Sequence, residues 1–130
     1  MSKHPKPGAV VFAKDLACLA KFYAELLSMA VVRSAPDHVV LESPHIQLVI
    51  HAIPEQVARA IVITSPPERR TETPIKLLFP VDSLSNARAT AARLGGALNP
   101  PEHEWDAAGV RACDGHDPEG NVLQLRTNIL

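Results

Sequence analysis

The chain has 130 residues, which suits one domain of ordinary size or two small halves sharing a core. A formal charge of −1 lacks the basic surplus that nucleic-acid binding needs, and no apolar run approaches the ~20 residues that span a bilayer. Hydrophobic residues make up 46% of the chain but aromatics only 4%, so the core must be built from Val, Leu, Ile and Ala.

No signal-peptide core follows the opening MSKHPKPG, so a cytoplasmic protein is expected. Cys18 and Cys113 have neither metal nor redox spacing, and both are expected as small buried apolar residues.

In chain order, GAVVFA (8–13) reads as a short strand. KDLACLAKFYAELLSM then switches to helical period, with Leu16, Leu19, Tyr23 and Leu26 on one stripe and Asp15 as N-cap. Short strands follow at AVVR (30–33), HVVLE (38–42) and HIQLVIH (45–51), separated by turn residues. The stretch from 54 to 74 ends as a polar, proline-flanked linker in which ERR is a solvated charge cluster; AIVIT (60–64) within it is strand-like, a candidate edge strand. The order then repeats. IKLLFP (75–80) is strand-like, SLSNARATAARLGG is helical with Leu84, Ala87, Ala91 and Leu94 inward and a double-glycine stop, and extended pieces recur near 97–99, at GVRACD (109–114) and at NVLQLR (121–126).

A shift of 68 positions carries Leu16 onto Leu84, Leu19 onto Ala87, Leu26 onto Leu94 and Gly8 onto Lys76. The closing strands match at another offset, IQLVIH against LQLRTN. This is a duplicated strand–helix–three-strand unit, with module one at about 8–52, a linker at 53–74 and module two at about 75–127. Neither half buries a sheet alone, so the two are expected to share a core.

Side chains alternate faces along a strand. Over 45–51, Ile46, Leu48 and Ile50 form an apolar face, and His45, Gln47, Val49 and His51 a mixed one. Over 121–126, Leu123 and Leu125 oppose Val122, Gln124 and Arg126; over 75–80, Ile75, Leu77 and Phe79 oppose Lys76, Leu78 and Pro80. Apolar faces receive the helices. The mixed faces fit either the wall of a partly wet cavity or a sheet surface turned to solvent.

The segments VVFAKDLACLAKFYAELLSM, PIKLLFPVDSLSNARATAARLGG and DPEGNVLQL resemble the glyoxalase, bleomycin-resistance and extradiol-dioxygenase (vicinal oxygen chelate) superfamily, over about Gly8 to Arg126. The resemblance implies an α+β fold: two tandem βαβββ modules forming a curved eight-stranded mixed-sheet cup, helices packed outside. It favours the cavity reading of the mixed faces and a homodimer. It also implies four inward divalent-metal ligands, His or Gln, Glu, His and Glu, and the matching positions here are Gly8, Gln47, Lys76 and Gln124. Glycine has no ligand, an ammonium group has only donors, and amide oxygens are weak for a hard cation. No metal or other cofactor is therefore expected.

The resulting expectation is a small, anionic or carbonyl-bearing ligand in a metal-free cavity. Lys76 would supply charge, Gln47 and Gln124 hydrogen bonds, and His45, His51, Trp105 and Arg126 further contacts. The alternative is a lyase, isomerase or dioxygenase with non-standard catalytic residues, or with a metal relocated among His45, His51, His103 and His116. His103 and His116 read foremost as exposed loop residues. A purely interacting module has no peptide-binding signature to support it.

Overall fold

The computed structural model describes residues 5–129, and the chain divides into two compact units, Met1–Val62 and Ile63–Leu130. Each is a βαβββ module. The first runs β1 (Gly8–Ala13), α1 (Leu16–Leu26), β2 (Ala30–Ser34), β3 (His38–Glu42) and β4 (Gln47–Ala52), followed by the one-turn α2 (Glu55–Ala58). Its four-stranded sheet has the order β1-β4-β3-β2, with β1 parallel to β4 and the other pairs antiparallel.

Asp15 caps α1 as its sequence position predicts, its carboxylate accepting from the Cys18 amide at 3.1 Å. The helix packs Leu19, Phe22, Tyr23 and Leu26 against the β3–β4 side that carries Leu41, Leu48 and Ile50, all buried. Phe22 and Tyr23 meet edge-to-face with centroids 5.2 Å apart, so two of the few aromatics supply much of this small core. Cys18 points to solvent rather than inward, because it lies off the Leu19–Tyr23–Leu26 stripe.

The second module runs β5 (Leu77–Pro80), α3 (Leu84–Arg93), β6 (Ala97–Leu98), a 3-10 turn (Pro101–His103), β7 (Trp105–Ala107), β8 (Val110–His116) and β9 (Val122–Asn128). Its sheet has the order β5-β9-β8-β6, with β7 also paired to β8. Among the described residues nine strands therefore stand where eight were expected; the additional one is β7, a three-residue hairpin arm turned by Ala108 and Gly109, both at positive φ. Ser83 caps α3, Leu84, Ala87 and Ala91 are buried beneath it, and Gly95 at φ +96° ends it.

The DPEGN turn is built around Asp117, which is completely buried. One carboxylate oxygen accepts from the amides of Glu119 (2.8 Å) and Asn121 (3.1 Å), and the other accepts from the Asn121 side chain (2.8 Å). Gly120 closes the turn at φ +84°, and an added Cβ would lie 2.1 Å from the Glu68 carbonyl oxygen, so the passing chain tolerates only glycine there. The Arg70 amide donates to the Gly120 carbonyl at 2.9 Å.

Two expectations for the middle of the chain are corrected. Residues 60–64 form no strand; the carbonyl of Ile61 instead accepts from Lys14. Nor is ERR merely solvated, since Arg69 is half-buried and donates to Asn99 Oδ1 at 2.8 Å. Local composition marked this stretch as polar linker, whereas long-range partners place it.

Candidate functional site

Strand register orders the mixed face of the first sheet into three cross-strand rows. Gly8, Gln47 and Glu42 form one, Val10, Val49 and Val40 the next, and Phe12, His51 and His38 the third. In the first row Gln47 Nε2 donates to Glu42 Oε2 at 3.2 Å, while Lys6 Nζ meets Glu42 Oε1 at 2.6 Å. These bonds, Lys6's first, hold the Glu42 carboxyl below its ordinary pKa.

In the third row the His51 and His38 rings stack, 5.9 Å apart and 9° from parallel, and Phe12 tilts onto His51. His51 Nδ1 faces the Ala52 carbonyl at 2.9 Å, which only accepts, so this nitrogen donates, and Nε2 lies 3.8 Å from Asp37 Oδ2. His38 Nδ1 donates to Asp37 Oδ1 at 2.8 Å, and that bond holds the Asp37 carboxyl below the usual carboxylate range. His45 is not on this face. It is exposed in the turn before β4, which begins at Gln47.

On the second sheet, Leu78, Gln124 and Asp114 form one row, and Pro80, Arg126, Ala112 and Trp105 the next. A four-residue relay joins them. Lys76 Nζ donates to Asp114 Oδ2 at 3.0 Å, Gln124 Nε2 to Asp114 Oδ1 at 3.1 Å, and Arg126 Nε to Gln124 Oε1 at 2.7 Å. Gln124 is 6% exposed, so its amide is fixed at both ends. Lys76, expected to supply charge, is thus paired with Asp114. His103 is exposed as expected, whereas His116 is half-buried on β8 and donates from Nδ1 to the Asp117 carbonyl at 3.0 Å.

Register also corrects the position assigned to Lys76. Gly8 pairs with Gln47, but Leu78 pairs with Gln124, a shift of 70 along these first strands, whereas the helix caps Asp15 and Ser83 differ by 68. On the glutamine register the counterpart of Lys76 is therefore Lys6. The two modules build the same clamp, a lysine and a glutamine gripping one carboxylate from the neighbouring strand. Glu42 and Asp114 were missed in sequence; their signal was the cross-strand position opposite each glutamine.

This donor set does not fit the divalent ion that the superfamily implies. Gln47 gives its amide to Glu42, the Gln124 oxygen is taken by Arg126, and both carboxylates already carry an ammonium partner. At Gly8 an added Cβ would lie 2.0 Å from the Gln47 carbonyl oxygen, so β1 lies too close for a ligating side chain. Among the described residues no group of three or more His, Cys, Asp or Glu side chains is placed to hold a metal.

The family model for the glyoxalase-like domain matches residues 9–126. The chain belongs to this family. Solved structures agree on the fold. The chain is similar to a glyoxalase/bleomycin resistance protein/dioxygenase family enzyme from Burkholderia phytofirmans PsJN, with a TM-score of 0.70 at 16% identity, covering 94% of this chain and 97% of that one. It is similar also to the fosfomycin resistance protein FosX from Mesorhizobium loti, with a TM-score of 0.65 at 14% identity, covering 100% and 96%. A bleomycin resistance determinant encoded on the transposon Tn5 gives a TM-score of 0.61 at 18% identity, covering 98% and 100%. No curated protein matches the chain in sequence. At these identities the likeness is one of fold, the vicinal oxygen chelate architecture of paired βαβββ modules. Among the described residues no helix is long and apolar enough to cross a membrane.

Proposed function

We propose that this glyoxalase-like protein binds a small anionic or carbonyl-bearing molecule without a metal, and that Arg126 is the group that holds it. The carrying observation is the end of the relay. Among the described residues only Nε of Arg126 is engaged, by a neutral amide, and no carboxylate pairs with the guanidinium. Lys76 and Asp114 cancel, leaving one positive charge in that patch of the face. The first module supplies a control: its clamp has the same lysine, carboxylate and glutamine, but Val49 occupies the place two residues after the glutamine where Arg126 stands in the second. What the modules share reads as structure, and what only one has reads as function. Exposed Leu78 and Trp105 add the apolar surface a ligand needs.

The setting of this reading is a cytoplasmic homodimer. The dimer is supported by β2, an edge strand exposed along its whole length, with Val31 and Val32 more than half exposed. The test is a thermal-shift screen of small anions against neutral and cationic analogues. Stabilisation by anions should vanish in Arg126→Met and survive in Lys76→Met; the reverse order, or equal response to neutral analogues, would refute it.

A second reading, an enzyme of the superfamily's lyase or isomerase kind, is favoured by the Asp37–His38 dyad, in which a carboxylate fixes the tautomer and leaves Nε2 as a base. Exchange of solvent deuterium into an added carbonyl compound would mark it, provided His38→Asn removes the exchange. Exchange no faster than in that variant would exclude it.

A further inference from the structure

We infer a second binding site, on the first unit: a cleft at the end of β4 that takes a small zwitterion, its ammonium between Asp37 and His51 and its carboxylate on Arg59. Arg126, which belongs to the other unit, takes no part in it.

The cleft has a volume of about 870 Å³, within the range of small-molecule sites, and lies wholly inside Met1–Val62. It is shaped by the β2–β3 turn with Asp37, the end of β4 with His51, and α2 with Glu55 and its C-cap Arg59. The His51 and Asp37 side chains are 40% and 66% exposed, so a ligand reaches both.

His51 Nδ1 donates to the Ala52 carbonyl at 2.9 Å, so in the neutral ring Nε2 keeps a lone pair. That nitrogen faces Asp37 Oδ2 at 3.8 Å, too far for a hydrogen bond, while Asp37 Oδ1 is already taken by His38 Nδ1 at 2.8 Å. Two acceptors facing each other match a ligand group that donates twice. A primary ammonium about 2.9 Å from each atom fits this spacing and donates to both. The His38 stack, 9° from parallel, and the tilted Phe12 hold the His51 ring in this orientation.

Charge sets what the rest of the ligand carries. Asp37 and Glu55 bring two negative charges to the cleft, and Lys14 and Arg59 two positive ones. A ligand of one sign upsets that balance, whereas a zwitterion preserves it. Lys14 is committed to the Ile61 carbonyl. Arg59 forms no ion pair among the described residues, and a guanidinium takes a planar carboxylate at two points.

Alanine, ethylammonium and propionate would be titrated against the full chain and followed by NMR of the His51 ring; the last two are alanine without its carboxylate and without its ammonium. Alanine should bind and shift the His51 signals. Each fragment should bind roughly tenfold more weakly, between the range of an exposed ion pair and that of a charge-assisted hydrogen bond. Asp37→Asn and Arg59→Met should each weaken alanine by a similar factor, with circular dichroism showing both variants folded. Lowering the pH from about 8 to about 5 should also weaken alanine, because a proton on His51 Nε2 turns the acceptor into a donor that pairs with Asp37 instead. The charged and titratable groups around His51 are Asp37, His38, Lys14, Glu55 and Arg59. The His38 bond holds the Asp37 carboxyl below the usual carboxylate range, so Asp37 stays ionised through this interval. His38 is the one other imidazole among them, and His51→Gln should remove most of the pH dependence.

If ethylammonium or propionate binds as tightly as alanine, if Asp37→Asn or Arg59→Met binds alanine as the parent does, or if His51→Gln leaves the pH dependence intact, the zwitterion site is overturned. Alanine that leaves the His51 signals unmoved at concentrations well above a millimolar overturns it as well.

Discussion

Replacing Asp114 by asparagine separates the two interactions that converge on this carboxylate. Asparagine is nearly isosteric but offers one acceptor oxygen and one amide donor, so it can accept from Lys76 or from Gln124 and must present N–H to the other. The Lys76 pair is worth little, because the ammonium side chain is 41% exposed and surface ion pairs contribute about 0–1 kcal/mol. The Gln124 bond is worth more. Its amide is 6% exposed, and a hydrogen bond to a charged group contributes about 1.5–3 kcal/mol. Turning the Gln124 amide over to save that bond would sacrifice the one its oxygen makes to Arg126. Asp114→Asn should therefore cost about 2 kcal/mol or somewhat more, and Lys76→Met less than about 1 kcal/mol. Urea unfolding of both variants, with unchanged slope, measures this directly. If Lys76→Met destabilises as much as Asp114→Asn, the network is an ion pair and not an amide anchored from both sides, and the account of how Arg126 is oriented fails.

Three further outcomes follow from the same contacts. Gly8→His, which restores the residue type of a metal-dependent relative, should destabilise the protein and gain no melting-temperature increase from added Ni²⁺, because its Cβ would lie 2.0 Å from the Gln47 carbonyl oxygen; a metal-dependent gain would show that β1 can move aside. The Glu42 carboxyl is held below its ordinary 4.5 by Lys6 and Gln47, so it contributes stability above that pH and loses it as the pH falls through the lowered value; acid unfolding followed by circular dichroism should be less steep there in Glu42→Gln. Finally, Cys18 is exposed, whereas burial raises the pKa of the Cys113 thiol, so a native-state thiol reagent should modify one cysteine rapidly and the second only on unfolding.

The sequence by itself determined most of the elements and their repetition. Helical period, Asp15 before the first helix and a double glycine after α3 are local signals, and α1 and α3 form where they predict. Period-two alternation likewise separated the apolar faces from the mixed ones, because a strand leaves no choice about which side each residue takes. The residues of the mixed faces were legible one at a time, as Gln47, Gln124 and Arg126 were.

What only the tertiary structure decided is which of them meet. Register across β8 and β9 puts Asp114 opposite Gln124, and nothing within either segment encodes that pairing; the same holds for Glu42 and Gln47 across β3 and β4. A two-residue difference between helix and strand offsets also moved the counterpart of Lys76 from Gly8 to Lys6. The physical reason is that a charge takes its meaning from its partner. Read along the chain, Lys76 was a cation with no assigned partner; a carboxylate from the neighbouring strand pairs with it.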